Sequence, residues 1–112
     1  MDNKNIHFNL LRKLEVNPEY TQRELSKEMG ISLGKVNYCI KKLVEKGWVK
    51  LTNFSNNPNK VGYAYLLTPK GIEEKTKLTY EFLKIKTEEY EILKEEISKL
   101  KKDAEKLKFK QK

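Results

Sequence analysis

The chain has 112 residues, of which 36% are charged and 38% hydrophobic, and its formal net charge is +8. This length allows one small domain with at most one extended appendage. No segment approaches the roughly 18 consecutive apolar residues of a transmembrane helix, and the first residues lack the features of a signal peptide. We therefore expect a cytoplasmic protein without a membrane partner. The positive charge suits a polyanion, although acidic proteins and membrane surfaces would suit it too.

The first segment of the chain predicts two short helices. The apolar positions of the first helix recur every fourth residue and end before Asn17-Pro18: Ile6, Leu10 and Leu14. The second helix begins with a capping box, in which the Thr21 side chain accepts from the amide of Glu24 and the Glu24 side chain reaches back. Gly30 stands where a left-handed residue commonly ends a helix.

A third helix and a β-hairpin follow. Ser32 is suited to cap the helix and Gly47 to end it, and its apolar positions are Val36, Ile40, Leu43 and Val44. Alternating residues predict strands over 48–52 and 62–67, around an Asn-rich turn. Helix, tight turn, helix and hairpin form the order of a winged helix-turn-helix.

The composition changes near Thr68-Pro69. Thr68 is suited to cap a long helix whose first residue is Pro69, and neither glycine nor proline follows Gly71. We therefore predict a winged helix-turn-helix DNA-binding domain over residues 1–67 and a long helix over residues 68–112 that forms a coiled coil. The predicted fold class is mainly α with a small β-hairpin.

The outward face of the third helix is polar and cationic when each residue advances the helix by about 100°. Such a helix fits the major groove of DNA, where Asn pairs with adenine and Lys with guanine, and its N-terminus can approach a phosphate. Lys60 at the hairpin tip is suited to the sugar-phosphate backbone. The predicted DNA-binding residues are Ser32, Gly34, Lys35, Asn37, Tyr38, Lys41, Lys42 and Lys60. The alternative for the third-helix face is an ordinary solvated helix surface, and Tyr38 could lie on a neighbouring helix instead of on a base. The alternative for the hairpin tip is an ordinary mobile loop.

The long helix carries a heptad pattern whose a and d positions predict dimerisation: Tyr90, Leu93, Ile97, Leu100, Ala104 and Leu107. Its g positions are all acidic, namely Glu89, Glu96 and Asp103, and its e positions are all basic, namely Lys94, Lys101 and Lys108. A parallel homodimer pairs each g with an e′, whereas an antiparallel pair sets like charges together. Upstream, the spacing of Leu78, Phe82 and Ile85 does not continue in the same heptad register as the predicted coiled coil. We therefore expect this stretch to pack differently from the coiled-coil region. An isolated charged helix or a disordered tail is the alternative.

Four segments together resemble the winged-helix signature of MarR-type regulators: residues 21–25, 30–32, 45–49 and 65–71. Over roughly residues 6–95, including 33–39, the chain is similar to a small subgroup associated with bacterial exopolysaccharide gene clusters. The resemblance implies a dimeric transcription regulator that binds operator DNA. MarR proteins are usually longer, with helices from both termini that create a ligand cleft. Because little precedes the first helix here, we expect no equivalent pocket.

No catalytic arrangement or phosphate-binding loop is identifiable, so we expect no enzyme. Single copies of histidine and cysteine, His7 and Cys39, predict no metal, no cofactor and no intramolecular disulfide. Cys39 is interpreted as a core residue, with redox sensing as the alternative, and His7 as structural or exposed.

The main alternative to a DNA-binding regulator is a protein-interaction adaptor that uses the winged helix and the coiled coil without touching DNA. RNA binding is a weaker one, because the chain lacks an aromatic sheet motif of the RNA-recognition type.

Overall fold

The computed structural model describes residues 3–52 and 63–110. Its elements follow in the order α1 (Asn3–Val16), α2 (Gln22–Met29), α3 (Leu33–Glu45), β1 (Val49–Thr52), β2 (Ala64–Leu67) and α4 (Pro69–Lys110). The two strands are antiparallel neighbours. The predicted fold class, a helical chain with a winged helix-turn-helix and a long last helix, is confirmed. The predicted hairpin turn, with Lys60, lies outside the described residues.

The helix-turn-helix is defined by local capping. Thr21 Oγ1 accepts a hydrogen bond from the amide of Glu24 at 3.0 Å, and Glu24 Oε1 accepts one from the amide of Thr21 at 3.1 Å. Gly30 ends α2 with a φ of 65°, a left-handed conformation that glycine adopts without a Cβ clash. Ser32 then caps α3 by accepting from the amide of Lys35. The turn between α2 and α3 therefore follows from its own sequence.

A second left-handed glycine ends α3. Gly47 has a φ of 75°, and the amide of Trp48 donates to the Leu43 carbonyl at 3.0 Å. This 6→1 hydrogen bond is that of a Schellman motif, which satisfies a carbonyl that the helix leaves unpaired. The chain thereby leaves α3 and enters β1 within a few residues.

The first compact unit comprises Met1–Leu78 and is built around one apolar core. Side chains from all three short helices, both strands and the start of α4 are buried there: Ile6, Leu10, Leu11, Leu14, Leu25, Val36, Cys39, Ile40, Leu43, Val49, Ala64 and Leu78. Val44, an apolar position of the predicted third helix, is 40% exposed. It lies about 100° beyond Leu43 around the helix, at the edge of the buried stripe.

The wing strands pair in the register Val49 with Leu67 and Leu51 with Tyr65. Val49 is buried but Leu51 is 45% exposed, so the alternation of apolar residues in β1 does not mark one buried face. The backbone amide of Tyr65 donates to the Pro18 carbonyl at 2.9 Å. The connection between α1 and α2 thus satisfies a backbone group on the other edge of β2.

Hydrogen bonds connect the beginning of α4 to the segment at the end of α3. The Thr68 hydroxyl accepts from the amide of Gly71 at 3.0 Å and donates to the Gly47 carbonyl. The amide of Thr68 donates to the Trp48 carbonyl at 3.0 Å. The predicted cap at Thr68 and the predicted helix start at Pro69 are therefore correct. Because Leu78 is buried, the first compact unit includes the first turns of α4.

The second unit, Thr79–Lys112, contains the rest of α4. Its local contacts include an ion pair between Lys86 and Glu89 at 3.2 Å and a hydrogen bond from Thr87 Oγ1 to the Leu83 carbonyl. In the ranges that the structure describes, no helix is sufficiently long and apolar to span a membrane.

Candidate nucleic-acid interface

All the predicted DNA contacts except Lys60 lie on α3 or at its cap, because Ser32 begins the helix and the others follow within it. Ser32, Gly34, Tyr38 and Lys41 are exposed, whereas Lys35, Asn37 and Lys42 are half-buried. The buried stripe of the same helix faces the core. The structure therefore brings these side chains together along one solvent-accessible side of α3.

Gly34 occupies open space near the beginning of α3. A Cβ built on this residue would meet no atom within 4 Å other than its chain neighbours and the backbone of its own helix. Its backbone is helical and has no positive φ. Neither packing nor backbone conformation within the protein therefore requires glycine at this position, and the absent side chain leaves the helix N-terminus open to a ligand.

Tyr38 is flanked by two cations. The ammonium groups of Lys35 and Lys42 lie 5.5 and 5.6 Å from the centre of its ring, within the range of cation–π attraction. The Tyr38 side chain is 48% exposed. It therefore forms part of the exposed surface of α3 and is not covered by a neighbouring helix of the described chain.

The lysines on this face differ in how they are held. Lys35 Nζ donates to Asn3 Oδ1 at 2.6 Å, and Lys42 Nζ lies 3.5 Å from a carboxylate oxygen of Glu45. Lys41 is exposed, and within the described ranges it has neither an ion pair nor a hydrogen bond from its side chain. Exposed ion pairs contribute only about 0–1 kcal/mol, so Lys42 can exchange its contact with Glu45 for a phosphate, and Lys41 can bind a phosphate without giving up a contact.

Asn37 is half-buried and belongs to a small polar cluster. Its Oδ1 accepts a hydrogen bond from Gln22 Nε2 at 3.3 Å, and the same nitrogen donates to the Tyr65 hydroxyl at 3.2 Å. Gln22 and Tyr65 are not among the site residues predicted from the sequence. They lie far from Asn37 along the chain, and no local pattern marks them, so only the tertiary fold reveals the cluster.

Two titratable groups lie behind α3. His7 is buried, and its Nε2 has no hydrogen-bond partner among the described residues. Burial lowers the pKa of His7, and the positive charges of Lys46 and Lys35 lower it further. Burial also raises the pKa of the Cys39 thiol, against a smaller opposing effect of Lys35. Both groups therefore favour their neutral forms, as expected for core residues.

The predicted dimerisation residues lie in the second unit and are exposed on the single chain: Tyr90, Leu93, Ile97, Leu100, Ala104 and Leu107. Their helix is continuous through this region. An apolar stripe is thus available on a charged helix. Over residues 3–52 and 63–110, no group of three or more histidine, cysteine or acidic side chains is arranged to hold a metal ion.

Two helices joined by a tight turn, followed by a two-stranded wing, define a winged helix-turn-helix domain, with α3 as its exposed second helix. Residues 4–50 match the family described as winged helix-turn-helix DNA-binding. The fold of the chain is also that of MarR-type regulators, as solved structures show.

MarR from E. coli in its apo form is 29% identical, over 64% of this chain and 52% of its own length, with a TM-score of 0.55. A MarR transcriptional regulator from Methanosarcina mazei Go1 is 26% identical, over 71% of this chain and 58% of its own, with a TM-score of 0.53. A MarR protein from Peptoclostridium difficile DA00132 covers 95% of this chain and 73% of its own at 24% identity and a TM-score of 0.61, which shows a common fold. The chain thus spans just over half the length of the first two. No curated protein sequence matches it.

Proposed function

We propose that the chain is a transcription regulator that binds specific sites in double-stranded DNA and acts as a parallel homodimer. The observation that carries this proposal is the exposed side of α3, where Tyr38, Lys41 and Lys42 stand beside the open N-terminus at Gly34. The match of residues 4–50 to DNA-binding winged helices supports it, as does the net charge of +8.

In the proposed complex, α3 enters the major groove, which is wide enough for a helix. Ser32 and Gly34 place the first amides of α3 near a phosphate, where the helix dipole favours negative charge. Asn37, Tyr38 and Lys41 approach base edges, and Lys35 and Lys42 contact either bases or phosphates. Lys60, in the segment outside the described residues, remains a proposed backbone contact of the wing.

The proposed dimer is a coiled coil between two copies of α4. The exposed seam from Tyr90 to Leu107 supplies the apolar contacts, and lysine at every e position faces an acid at g of the second copy. This pattern favours parallel helices. A two-fold dimer presents two copies of α3 to the DNA. The proposed operator is therefore a palindrome whose half-sites are about 10 base pairs apart, or a multiple of this spacing.

The resemblance of the sequence makes exopolysaccharide genes the first targets to test. A regulator of this kind acts where the chromosome is, in keeping with the cytoplasmic location expected from the sequence. No step of the proposal requires a cofactor, a metal or a catalytic group.

The proposal is tested by selecting binding sites from duplexes with a randomised centre, using the whole chain. The affinity for the selected duplex is then compared with that for a shuffled duplex over a series of salt concentrations. Tyr38→Ala should reduce the ratio of these affinities, since one base-edge contact is worth about 1–3 kcal/mol. Lys41→Ala should also reduce this affinity ratio if Lys41 contacts a base. If Lys41 contacts a phosphate instead, the variant should reduce the slope of log affinity against log salt concentration by about one.

Lys99→Ala is the matched control, because it removes an exposed positive charge from α4 at a position outside the predicted seam. It should leave the affinity ratio unchanged. Failure of the wild-type chain to enrich any sequence would exclude the proposed function. If duplex binding is absent while a protein partner binds independently of salt, the adaptor is the correct alternative, because phosphate contacts release counterions and depend steeply on salt.

A further inference from the structure

One side-chain amide connects three elements of the winged helix. Gln22 is the first residue of α2, Asn37 lies within α3, and Tyr65 lies in β2. Gln22 Nε2 donates both to Asn37 Oδ1 at 3.3 Å and to the Tyr65 hydroxyl at 3.2 Å. All three side chains are half-buried. Both hydrogens of the Gln22 amide are thus used within the domain, at the inner border of the proposed reading face.

We propose that Gln22 is a positioning residue for sequence recognition, which fixes the Asn37 carboxamide so that the two side chains read one base pair together. The inference rests on the proposed function, because it assigns a role within DNA recognition. It differs from the sequence-based expectation, in which Asn37 alone contacts a base.

The hydrogen-bonding groups that remain define what the pair can recognise. Among the described residues, neither Asn37 Nδ2 nor Gln22 Oε1 has a hydrogen-bond partner. The pair therefore offers one donor and one acceptor to a ligand. In the major groove, adenine presents the complementary combination, an acceptor at N7 and a donor at N6. An A·T base pair is accordingly the expected target, with its donor and acceptor contacts divided between two side chains.

Tyr65 anchors this arrangement to the wing. Its backbone amide donates to the Pro18 carbonyl at 2.9 Å, and it faces Leu51 in the ladder between the strands. The hydroxyl of Tyr65 therefore belongs to a residue whose backbone is held on both sides. Through Gln22, this fixed group limits the rotamers of Asn37 before DNA binds, which reduces the entropy lost on binding.

The test is a selection from duplexes with a randomised centre, carried out with the whole chain and with Asn37→Ala, Gln22→Ala, Tyr65→Phe and the Gln22→Ala/Asn37→Ala double variant. Asn37→Ala should lose its preference at one A·T base pair by about tenfold, which corresponds to about 1.4 kcal/mol. Gln22→Ala should lose the preference at the same base pair, and the double variant should lose no more than either single variant. Tyr65→Phe, which removes only the hydroxyl, should weaken the same preference by less.

Arg23→Ala is the control on the same helix. Its side chain is exposed, and a lost phosphate contact would weaken binding to all sequences alike without changing the base preferences. Thermal unfolding of each variant shows whether a changed base preference is caused by loss of the folded state. If Gln22→Ala does not fold, Tyr65→Phe still tests the inference.

The outcomes distinguish this inference from the proposed function. If the wild-type chain enriches no motif, both fail. If it enriches a motif that Asn37→Ala changes but Gln22→Ala and Tyr65→Phe leave intact, DNA recognition stands and the positioning role of Gln22 is wrong. A Gln22→Ala effect at a different base pair from that of Asn37→Ala would also overturn the inference, because the two side chains would then read independently.

Discussion

Gly71 packs against the backbone of Trp48: an ideal Cβ on Gly71 would lie 2.8 Å from the Trp48 carbonyl carbon and 3.2 Å from its Cα. The Trp48 carbonyl oxygen also accepts from the amide of Thr68. The first turn of α4 is therefore in direct contact with the segment that connects α3 to β1. Any side chain at position 71 would therefore have to displace the Trp48 backbone. Backbone atoms cannot move aside as readily as the end of a flexible side chain.

Gly71→Ala should therefore destabilise the domain, although alanine is the better helix former. Forcing an additional carbon into a packed site costs about 1–3 kcal/mol and sometimes more, which exceeds the helix propensity that alanine gains. The free energy of unfolding in urea, followed by far-UV circular dichroism, measures the effect. A variant as stable as the parent would show that α4 does not need this close approach.

Gly34→Ala should have the opposite effect on stability. A Cβ there meets nothing beyond its chain neighbours and the backbone of its own helix, so alanine should stabilise the folded protein by up to about 0.5–1 kcal/mol. The same methyl group would obstruct the proposed approach of a phosphate to the N-terminus of α3, so affinity for the selected duplex should decrease. Urea unfolding and a gel shift on one preparation measure both quantities. Increased stability with unchanged DNA affinity would remove Gly34 from the interface.

Local signals predicted most of the fold. The capping box at Thr21, the left-handed Gly30 and the serine cap at Ser32 each act within a few residues, and the resulting helix-turn-helix follows from them. Val44, one of the apolar positions of the predicted third helix, is 40% exposed, because helical spacing gives the direction of an apolar stripe but not its width. The alternation of residues in β1 predicts the strand correctly, but it does not reveal how much of the strand the core covers: Leu51 is 45% exposed.

The candidate site was predictable only where it lies on one helix. The polar side of α3 could be derived from its period, but the cluster of Gln22, Asn37 and Tyr65 depends on α2 and β2 meeting at α3. The cation–π neighbours of Tyr38 were equally accessible in principle, because Lys35 and Lys42 lie three and four residues away along the helix. Contacts between elements require the tertiary structure.

The stability of the protein should decrease in mildly acidic solution because of His7. Burial lowers the pKa of His7 in the folded protein below its ordinary value of 6.5, so the unfolded chain binds the proton more strongly. The free energy of unfolding is therefore fully retained above about pH 6.5 and declines as the pH falls from there through the folded-state pKa. Urea unfolding across this range measures the decline.

The control for this prediction is His7→Leu. His7 is the single histidine of the chain, so the variant should lose most of the pH dependence between about pH 7 and pH 5, above the range in which unperturbed carboxylates titrate. An equally steep decline in His7→Leu would assign the effect to other groups. The positive charges of Lys35 and Lys46 are the charges that disfavour protonation of His7.

The charge pattern of α4 predicts how the proposed dimer can be broken and restored. Replacing Lys94, Lys101 and Lys108 by Glu would set acid against acid in three g–e′ pairs on each side of the parallel seam. Exposed pairs contribute about 0.2–0.5 kcal/mol each, so the total should be a few kcal/mol. The dimer dissociation constant should rise by one to several decades, at about 1.4 kcal/mol per decade. Sedimentation measures this change, and a gel shift should show a parallel loss of DNA affinity.

A second variant, with Lys in place of Glu89, Glu96 and Asp103, is the complementary partner. Mixed with the triple-Glu variant, it should form a heterodimer, because acidic g and e positions on one helix then face basic positions on the other. The mixture should recover binding to the selected duplex, which neither variant binds well alone. Glu89 also pairs with Lys86 of its own helix, so the pair between Glu89 and Lys94 of the second copy should contribute least. A triple-Glu variant that dimerises as the parent does would show that α4 does not form a parallel coiled coil.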